Sequence, residues 1–133
     1  MTTKAPAVGM GLIVLALLVV IGWSMWTPPP LRFLTRADLP TCPPVSAKQL
    51  AAAPQAAGGC LFGERARREG AELVVTSMTD EGDEVRTYYR AVPRTAGLEV
   101  WSDTSGDRYG GGWEHQVCPE AVSLAALGTC RTA

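Results

Sequence analysis

The hydrophobic positions of the chain form one long block near its start and several short alternating runs after residue 70. Between Ala5 and Trp26 there is no charged residue, and the part M-G-L-I-V-L-A-L-L-V-V-I is apolar on every face. A helix over these 22 residues would rise about 33 Å, which matches a hydrocarbon core of roughly 30 Å. We therefore predict an N-terminal transmembrane signal anchor over residues 1–26.

A proline-rich segment follows the apolar block. Residues 27–44 contain P-P-P and P-T-C-P-P, and such clusters favour an extended, polyproline-like chain. We predict a stalk here that spaces a small domain, residues 45–133, from the bilayer. A cleaved signal peptide is the alternative for the apolar block, but the block ends in W-S-M-W-T-P-P-P and has no A-x-A cleavage site.

The first part of the small domain has helical signals. Ser46 and Gln49 have the spacing of a capping box before A-K-Q-L-A-A-A. Residues 60–69 are a second candidate helix, and E-A-V-S-L-A-A-L before Gly128 is a third and shorter one.

The middle of the domain has strand signals. β-branched and alternating residues predict strands over residues 72–79, 84–92 and 98–103, and W-E-H-Q-V-C is a candidate fourth strand. The predicted fold class is α+β. It consists of the N-terminal transmembrane helix and a small antiparallel sheet of three to four strands, packed with one or two short helices and stapled by disulfides.

The charge composition argues against nucleic acid as a partner. Twelve Lys and Arg residues are balanced by thirteen Asp and Glu residues, for a net charge of -1, whereas phosphate binding needs clustered cationic excess. The acidic turn over residues 80–84 lacks the alternating oxygen spacing of a calcium loop. We therefore predict no metal and no cofactor.

The four cysteines indicate an oxidising compartment. They lack the paired C-x-x-C spacing of a zinc site, and four cysteines in a small domain are typical of an exported, disulfide-stabilised protein. Three connectivities are open, and the sequence alone does not choose among them. Short loops favour Cys42 with Cys60 and Cys118 with Cys130, each contributing roughly 3 kcal/mol in the chain-entropy model.

Three blocks of sequence resemble a known family. They are T-D-E-G-D-E-V (79–85), S-D-T-S-G-D-R-Y-G (102–110) and C-P-E-A-V-S-L-A-A-L-G-T-C (118–130). Their order resembles small exported lipoproteins of Gram-positive bacteria, a family catalogued only as a domain of unknown function. The resemblance implies an extracytoplasmic α+β domain with a Cys118–Cys130 disulfide, and it implies no activity. This chain differs in having an apolar segment in place of a lipid-bearing cysteine, and in having Cys42 and Cys60.

The candidate binding residues lie on the predicted strands and in the turn that follows them. Aromatic rings flanked by arginines on one sheet face form a plausible partner-binding surface, although core packing is the alternative for the rings and turn formation for the aspartates. His115 is the only histidine, so we predict no catalytic site. The predicted partner-binding residues are Arg86, Tyr88, Arg90, Trp101, Asp103, Asp107 and Arg108.

Together these features predict a membrane-tethered, non-catalytic module of the bacterial cell envelope that binds a protein or envelope partner. The expected location is the cytoplasmic membrane, crossed once, with the N-terminus inside and the domain outside. Two alternatives are an accessory single-pass subunit of a larger membrane complex and a small envelope hydrolase. The oligomeric state does not follow from the sequence.

Overall fold

The computed structural model describes Ile13, residues 18–20, Gly22 and residues 28–133. The chain divides into two compact units, Met1–Thr35 and Arg36–Ala133. The predicted anchor over residues 1–26 lies mostly outside the described residues. No helix within the described residues is long and apolar enough to cross a membrane. The membrane-spanning helix of the predicted fold class is therefore not part of the structure described here.

Part of the predicted stalk is helical and not extended. Helix α1 occupies Pro29–Leu34, and the prolines at its start are tolerated because the first helical N–H groups need no partner within the helix. Further along, the backbone N–H of Cys42 donates to the carbonyl of Glu72 at 2.8 Å, and the N–H of Glu72 donates to Pro40 at 2.9 Å. The end of the segment is thus paired with the domain.

Three more short helices follow α1 before the main strands: α2 (Ala47–Ala52), α3 (Pro54–Phe62) and α4 (Glu64–Glu69). The capping box of Ser46 and Gln49 is confirmed, because each side chain bonds the backbone N–H of the other residue. The predicted helix over residues 60–69 is broken at Gly63, which has extended dihedral angles and separates α3 from α4.

In the part of the chain that the structure describes, the sheet has six strands in the order β1-β2-β3-β4-β5-β6. The predicted antiparallel sheet of three to four strands was therefore wrong. β1 runs parallel to β2, and the other neighbours are antiparallel. The two edge strands, β1 and β6, are only two residues long and carry no sequence periodicity, which is why the sequence did not reveal them. The strands are β1 (Val45–Ser46), β2 (Ala71–Met78), β3 (Glu84–Ala91), β4 (Leu98–Asp103), β5 (Trp113–Cys118) and β6 (Arg131–Thr132).

The register assigns the side chains to two faces of the sheet. One cross-strand row consists of Leu73, Tyr89, Val100 and Gln116, and the adjacent row consists of Val74, Tyr88, Trp101 and His115. Successive residues of a strand point to opposite faces, so these rows lie on opposite sides. The Leu73 side, called the helix-side face, packs against Leu61 and Ala66 of the helices to form the core. The Trp101 side is called the opposite face.

The predicted local disulfides are both present. Cys42 is bonded to Cys60 and Cys118 to Cys130. Cys42 and Cys118 are among the most buried side chains of the core, so each bridge links a less buried cysteine, Cys60 or Cys130, to the packed interior.

The segment between Cys118 and Cys130 is not helical, so the short helix predicted before Gly128 was wrong. The Cα atoms of the two cysteines lie 4.2 Å apart, and the chain must return within twelve residues. It does so through a tight bend, where the N–H of Val122 donates to the carbonyl of Ala126 at 3.1 Å. Gly128, with φ of 68°, continues the turn.

Candidate functional site at the hairpin end of the sheet

The β2–β3 turn is held by hydrogen bonds within itself. The backbone N–H of Thr79 donates to the carbonyl of Asp83 at 2.9 Å, and the N–H of Asp83 donates to the Thr79 hydroxyl at 3.1 Å. Gly82 adopts a φ of 86°, which is favourable only for glycine. Within the described residues, no group of three or more His, Cys, Asp or Glu side chains is placed to hold a metal ion.

The β4–β5 loop, residues 104–112, is fixed by aspartate and threonine side chains. Asp103 accepts hydrogen bonds from the backbone N–H and hydroxyl of Ser105, and Asp107 accepts one from the N–H of Tyr109 at 2.8 Å. Both the N–H and the hydroxyl of Thr104 donate to the carbonyl of Gly112. Short side chains that bond nearby backbone in this way stabilise turns, and the predicted turn-forming role of Asp103 is thereby confirmed.

Gly110 allows this loop to close on itself. A Cβ atom at position 110 would lie 2.2 Å from the carbonyl oxygen of Thr104, which no side chain tolerates. The close approach of the loop backbone to Thr104 therefore requires glycine at position 110.

The turn and the loop lie at the same end of the sheet and contact each other. The backbone N–H and Nε of Arg108 both donate to Asp83 Oδ2, at 3.3 and 3.2 Å. A Cβ at Gly106 would lie 2.8 Å from the carbonyl oxygen of Glu84, so the loop backbone also approaches the start of β3 closely. We call these two connections and the strand ends beside them the hairpin-end surface.

The hairpin-end surface presents residue types that are common in binding interfaces. Tyr109 is 79% exposed and Met78 is 63% exposed, and the side chains of Arg108 and Arg86 are 62% and 54% exposed. Tyr, Met and Arg are enriched at interfaces, with Tyr and Arg prominent in hot spots. A fixed loop also reduces the entropy lost when a partner binds.

The charges on this surface are partly neutralised locally. Arg86 donates through Nε to Glu84 Oε1 at 2.6 Å. This hydrogen bond, with the attraction of the Glu84 charge, raises the pKa of the Arg86 guanidinium above its ordinary value. Both groups are solvent-exposed, so the pair remains free to exchange for a charged partner group.

Six of the seven predicted binding residues separate into two groups, and the seventh, Tyr88, is half-buried and stacks on Trp113. Arg86, Asp103, Asp107 and Arg108 lie at or beside the hairpin-end surface. Arg90 and Trp101 are only 3% and 4% exposed, so their side chains support the sheet and do not present a contact area.

Arg90 lies at the centre of a charged network on the opposite face. Its Nε donates to Glu72 Oε2 at 2.9 Å, its Nη1 to Glu99 Oε2 at 2.9 Å and its Nη2 to the carbonyl of Ala37. Arg36 also binds both carboxylate oxygens of Glu72, at 3.0 and 3.1 Å. A buried charge of this kind is stable only when it is paired and hydrogen-bonded.

The aromatic residues of the opposite face form stacked pairs. The rings of Trp101 and His115 lie 3.7 Å apart with an interplanar angle of 8°, and Tyr88 and Trp113 stack at 6.1 Å. The Arg36 guanidinium lies 5.8 Å from the centre of the Tyr88 ring. These contacts show that the rings mainly pack against other side chains of the domain. Packing was the alternative to a partner-binding surface in the interpretation of the sequence.

Sequence reasoning missed Tyr109 and Met78 as parts of the site. Tyr109 follows D-R and precedes three glycines, and an aromatic residue within such a turn-forming run has no nearby apolar pattern that would bury it. That composition is the signal that identifies it as an exposed ring.

Comparison of the chain with protein-family models, with curated proteins and with solved structures finds no match. The resemblance to the exported lipoprotein family therefore stays a prediction.

Proposed function

We propose that this chain is a non-catalytic, extracytoplasmic module of the bacterial cell envelope that binds a protein partner through its hairpin-end surface. One observation carries the proposal: a loop stabilised by the side chains of Asp103 and Asp107 presents Tyr109, which is 79% exposed, beside Arg108. A single exposed ring is common on protein surfaces, but here Tyr109 lies with exposed Met78 and Arg108 on one surface, and these residue types are enriched in binding interfaces.

The two disulfides support the extracytoplasmic part of the proposal. All four cysteines are paired, and disulfides persist in oxidising compartments. The uncharged segment between Ala5 and Trp26 supports attachment to the membrane. In this proposal the segment keeps the domain near the bilayer, and binding is the task of the domain.

The position of His115 supports a non-catalytic function. The only histidine of the chain lies face to face with Trp101 at 3.7 Å. A general base must reach the proton that it abstracts through a ring nitrogen, and both ring nitrogens of His115 are buried, so the ring is poorly placed to meet a substrate.

Site-specific photo-crosslinking tests the binding surface. A photoreactive amino acid at position 109 of the full chain, activated in intact cells, is expected to yield an adduct of defined mass. The control is the same amino acid at position 65 on α4, where the side chain is 78% exposed and no adduct is expected. Equal adducts from both positions, or none from position 109, would contradict the proposed surface.

Substitution of the same residue supplies a quantitative test once the adduct identifies the partner. Truncation of a central interface tyrosine costs about 2 kcal/mol, or roughly thirtyfold in Kd. Tyr109→Ala is expected to weaken the complex by this factor, and Arg65→Ala is expected to leave the Kd unchanged. A Kd for Tyr109→Ala within twofold of the parent value would overturn the assignment of Tyr109.

The oxidation state of the cysteines in cells tests the location. Alkylation of unreduced extracts with a maleimide reagent is expected to modify no cysteine, because both disulfides form outside the cytoplasm. A fully alkylated chain would contradict export, whatever the crosslinking result.

A further inference from the structure

A cleft lies at the end of the sheet opposite to the hairpin-end surface. Its volume is about 490 Å³, within the range of small-molecule sites. α3, α4 and the β3–β4 loop line it together with Ala121 and Val122. Since none of these residues belongs to the hairpin-end surface, the cleft is a separate feature of the domain.

The ionisable side chains of this cleft are all cationic. Arg67 and Arg94 line it, and no Asp or Glu does. Within the described residues, Arg94 forms no ion pair, and Arg67 pairs only with Glu64, at 3.0 Å, with both side chains more than 70% exposed. Exposed pairs of this kind are weak, so Arg67 is free to turn to another anion. The positive charge is local, since the whole chain carries -1.

Arg94 occupies a backbone position that suits glycine. The N–H of Thr95 donates to the carbonyl of Val92 at 3.1 Å, which closes a turn with Pro93 second and Arg94 third. Arg94 has a φ of 65°, the left-handed value that favours glycine or asparagine at this place in a turn. Strained residues of this kind concentrate at ligand clamps, and here the strained residue supplies a cationic side chain to the cleft.

The rest of the cleft is largely apolar. Leu61, Phe62 and Ala66 line it on the helix side. Val122 lines it from the disulfide-closed segment although this side chain is 73% exposed. A ligand that occupied the cleft would therefore meet two guanidinium groups and an apolar wall.

We propose that this cleft binds a small amphiphilic anion, one phosphate or carboxylate group joined to a compact apolar body. Arg94 and Arg67 hold the anionic group by charge-assisted hydrogen bonds, and Phe62 and Val122 contact the apolar part. This binding is independent of the partner complex at the other end of the sheet.

Binding of phenyl phosphate to the full chain in lipid nanodiscs, measured by isothermal titration calorimetry, tests this site. Saturable binding is expected. Inorganic phosphate and benzyl alcohol, which each carry half of the recognised chemistry, are expected to bind at least tenfold more weakly. No saturable binding of phenyl phosphate, or equal binding of either half-probe, would overturn the proposal.

Variants locate the binding in the cleft. Arg94→Gly is expected to weaken phenyl phosphate binding at least tenfold while leaving the chain at least as stable to heat, so unfolding would not explain the loss. Arg67→Gln is expected to weaken it severalfold. Arg65→Gln, a change on the same helix outside the cleft, is the matched control with unchanged binding. Unchanged affinity in Arg94→Gly would contradict the site.

Discussion

Replacement of Arg90 by methionine tests the charged network of the opposite face. The change removes the three donors that hold Glu72, Glu99 and the carbonyl of Ala37 while keeping a long apolar side chain in the same space. Glu72 keeps its two hydrogen bonds from Arg36, and Glu99, 25% exposed at its side chain, can be solvated in part.

The expected cost follows from this partial compensation. Removing one partner of a buried ion pair costs about 3–5 kcal/mol when the other charge is left unpaired. Neither carboxylate is left fully buried and alone. We therefore expect the free energy of unfolding to fall by about 3 kcal/mol, the lower end of this range. A domain of this size has roughly 5–15 kcal/mol of stability in all, so the variant should still fold but should unfold at clearly lower denaturant concentration.

Urea unfolding of the oxidised chain measures this loss when it is followed by tryptophan fluorescence. The slope of the unfolding free energy against urea concentration should be unchanged, which is the control for two-state behaviour. The double variant Glu72→Leu with Arg90→Met replaces the pair by apolar side chains and is expected to recover at least about 2 kcal/mol relative to the sum of the single changes. Strictly additive losses, or a loss below about 1 kcal/mol in Arg90→Met, would refute the network as a stabilising unit.

Three further changes have defined outcomes. Serine at both Cys118 and Cys130 should lower the unfolding free energy by about 3 kcal/mol in the chain-entropy model; an unchanged thermal midpoint would contradict it. Arg94→Gly should raise the stability by about 0.5–1 kcal/mol, because relief of left-handed strain exceeds the gain in unfolded-chain entropy, and a lower midpoint would show that the strain is absent. Burial raises the pKa of Tyr89 above the ordinary 10.0, so the folded state holds this proton more tightly than the unfolded state and stability should fall as the pH rises above about 10. Tyr89→Phe should reduce that fall in alkaline urea titrations, whereas Tyr109→Phe, at an exposed ring, should not.

Local sequence signals identified the features that depend on near neighbours. The Ser46 capping box and the alternation of Arg86, Tyr88 and Arg90 on one face were predicted correctly because each depends on residues two or three positions apart. The two cysteine pairs were also preferred correctly, since short loops close at low entropic cost.

Contacts between distant residues decided the rest. The pairing of Arg108 with Asp83 spans 25 residues, and the two-residue strands β1 and β6 exist only because longer strands offer them open edges. The burial of Arg90 and Trp101 likewise depends on groups from separate segments, among them Glu72, Glu99 and His115. The alternation of residues along a strand predicts the face on which a side chain lies. Its burial depends on which other segments of the chain pack on that face.

The sequence by itself thus determined the central antiparallel strands, the helix cap at Ser46 and the presence of disulfides, because these depend on local periodicity and composition. Only the tertiary structure decided which candidate residues are exposed. It placed Tyr109 and Arg108 at a surface and Arg90 and Trp101 inside, and it brought Arg67 and Arg94 to one cleft. The physical reason is that exposure and charge clustering are properties of chain segments brought together by folding.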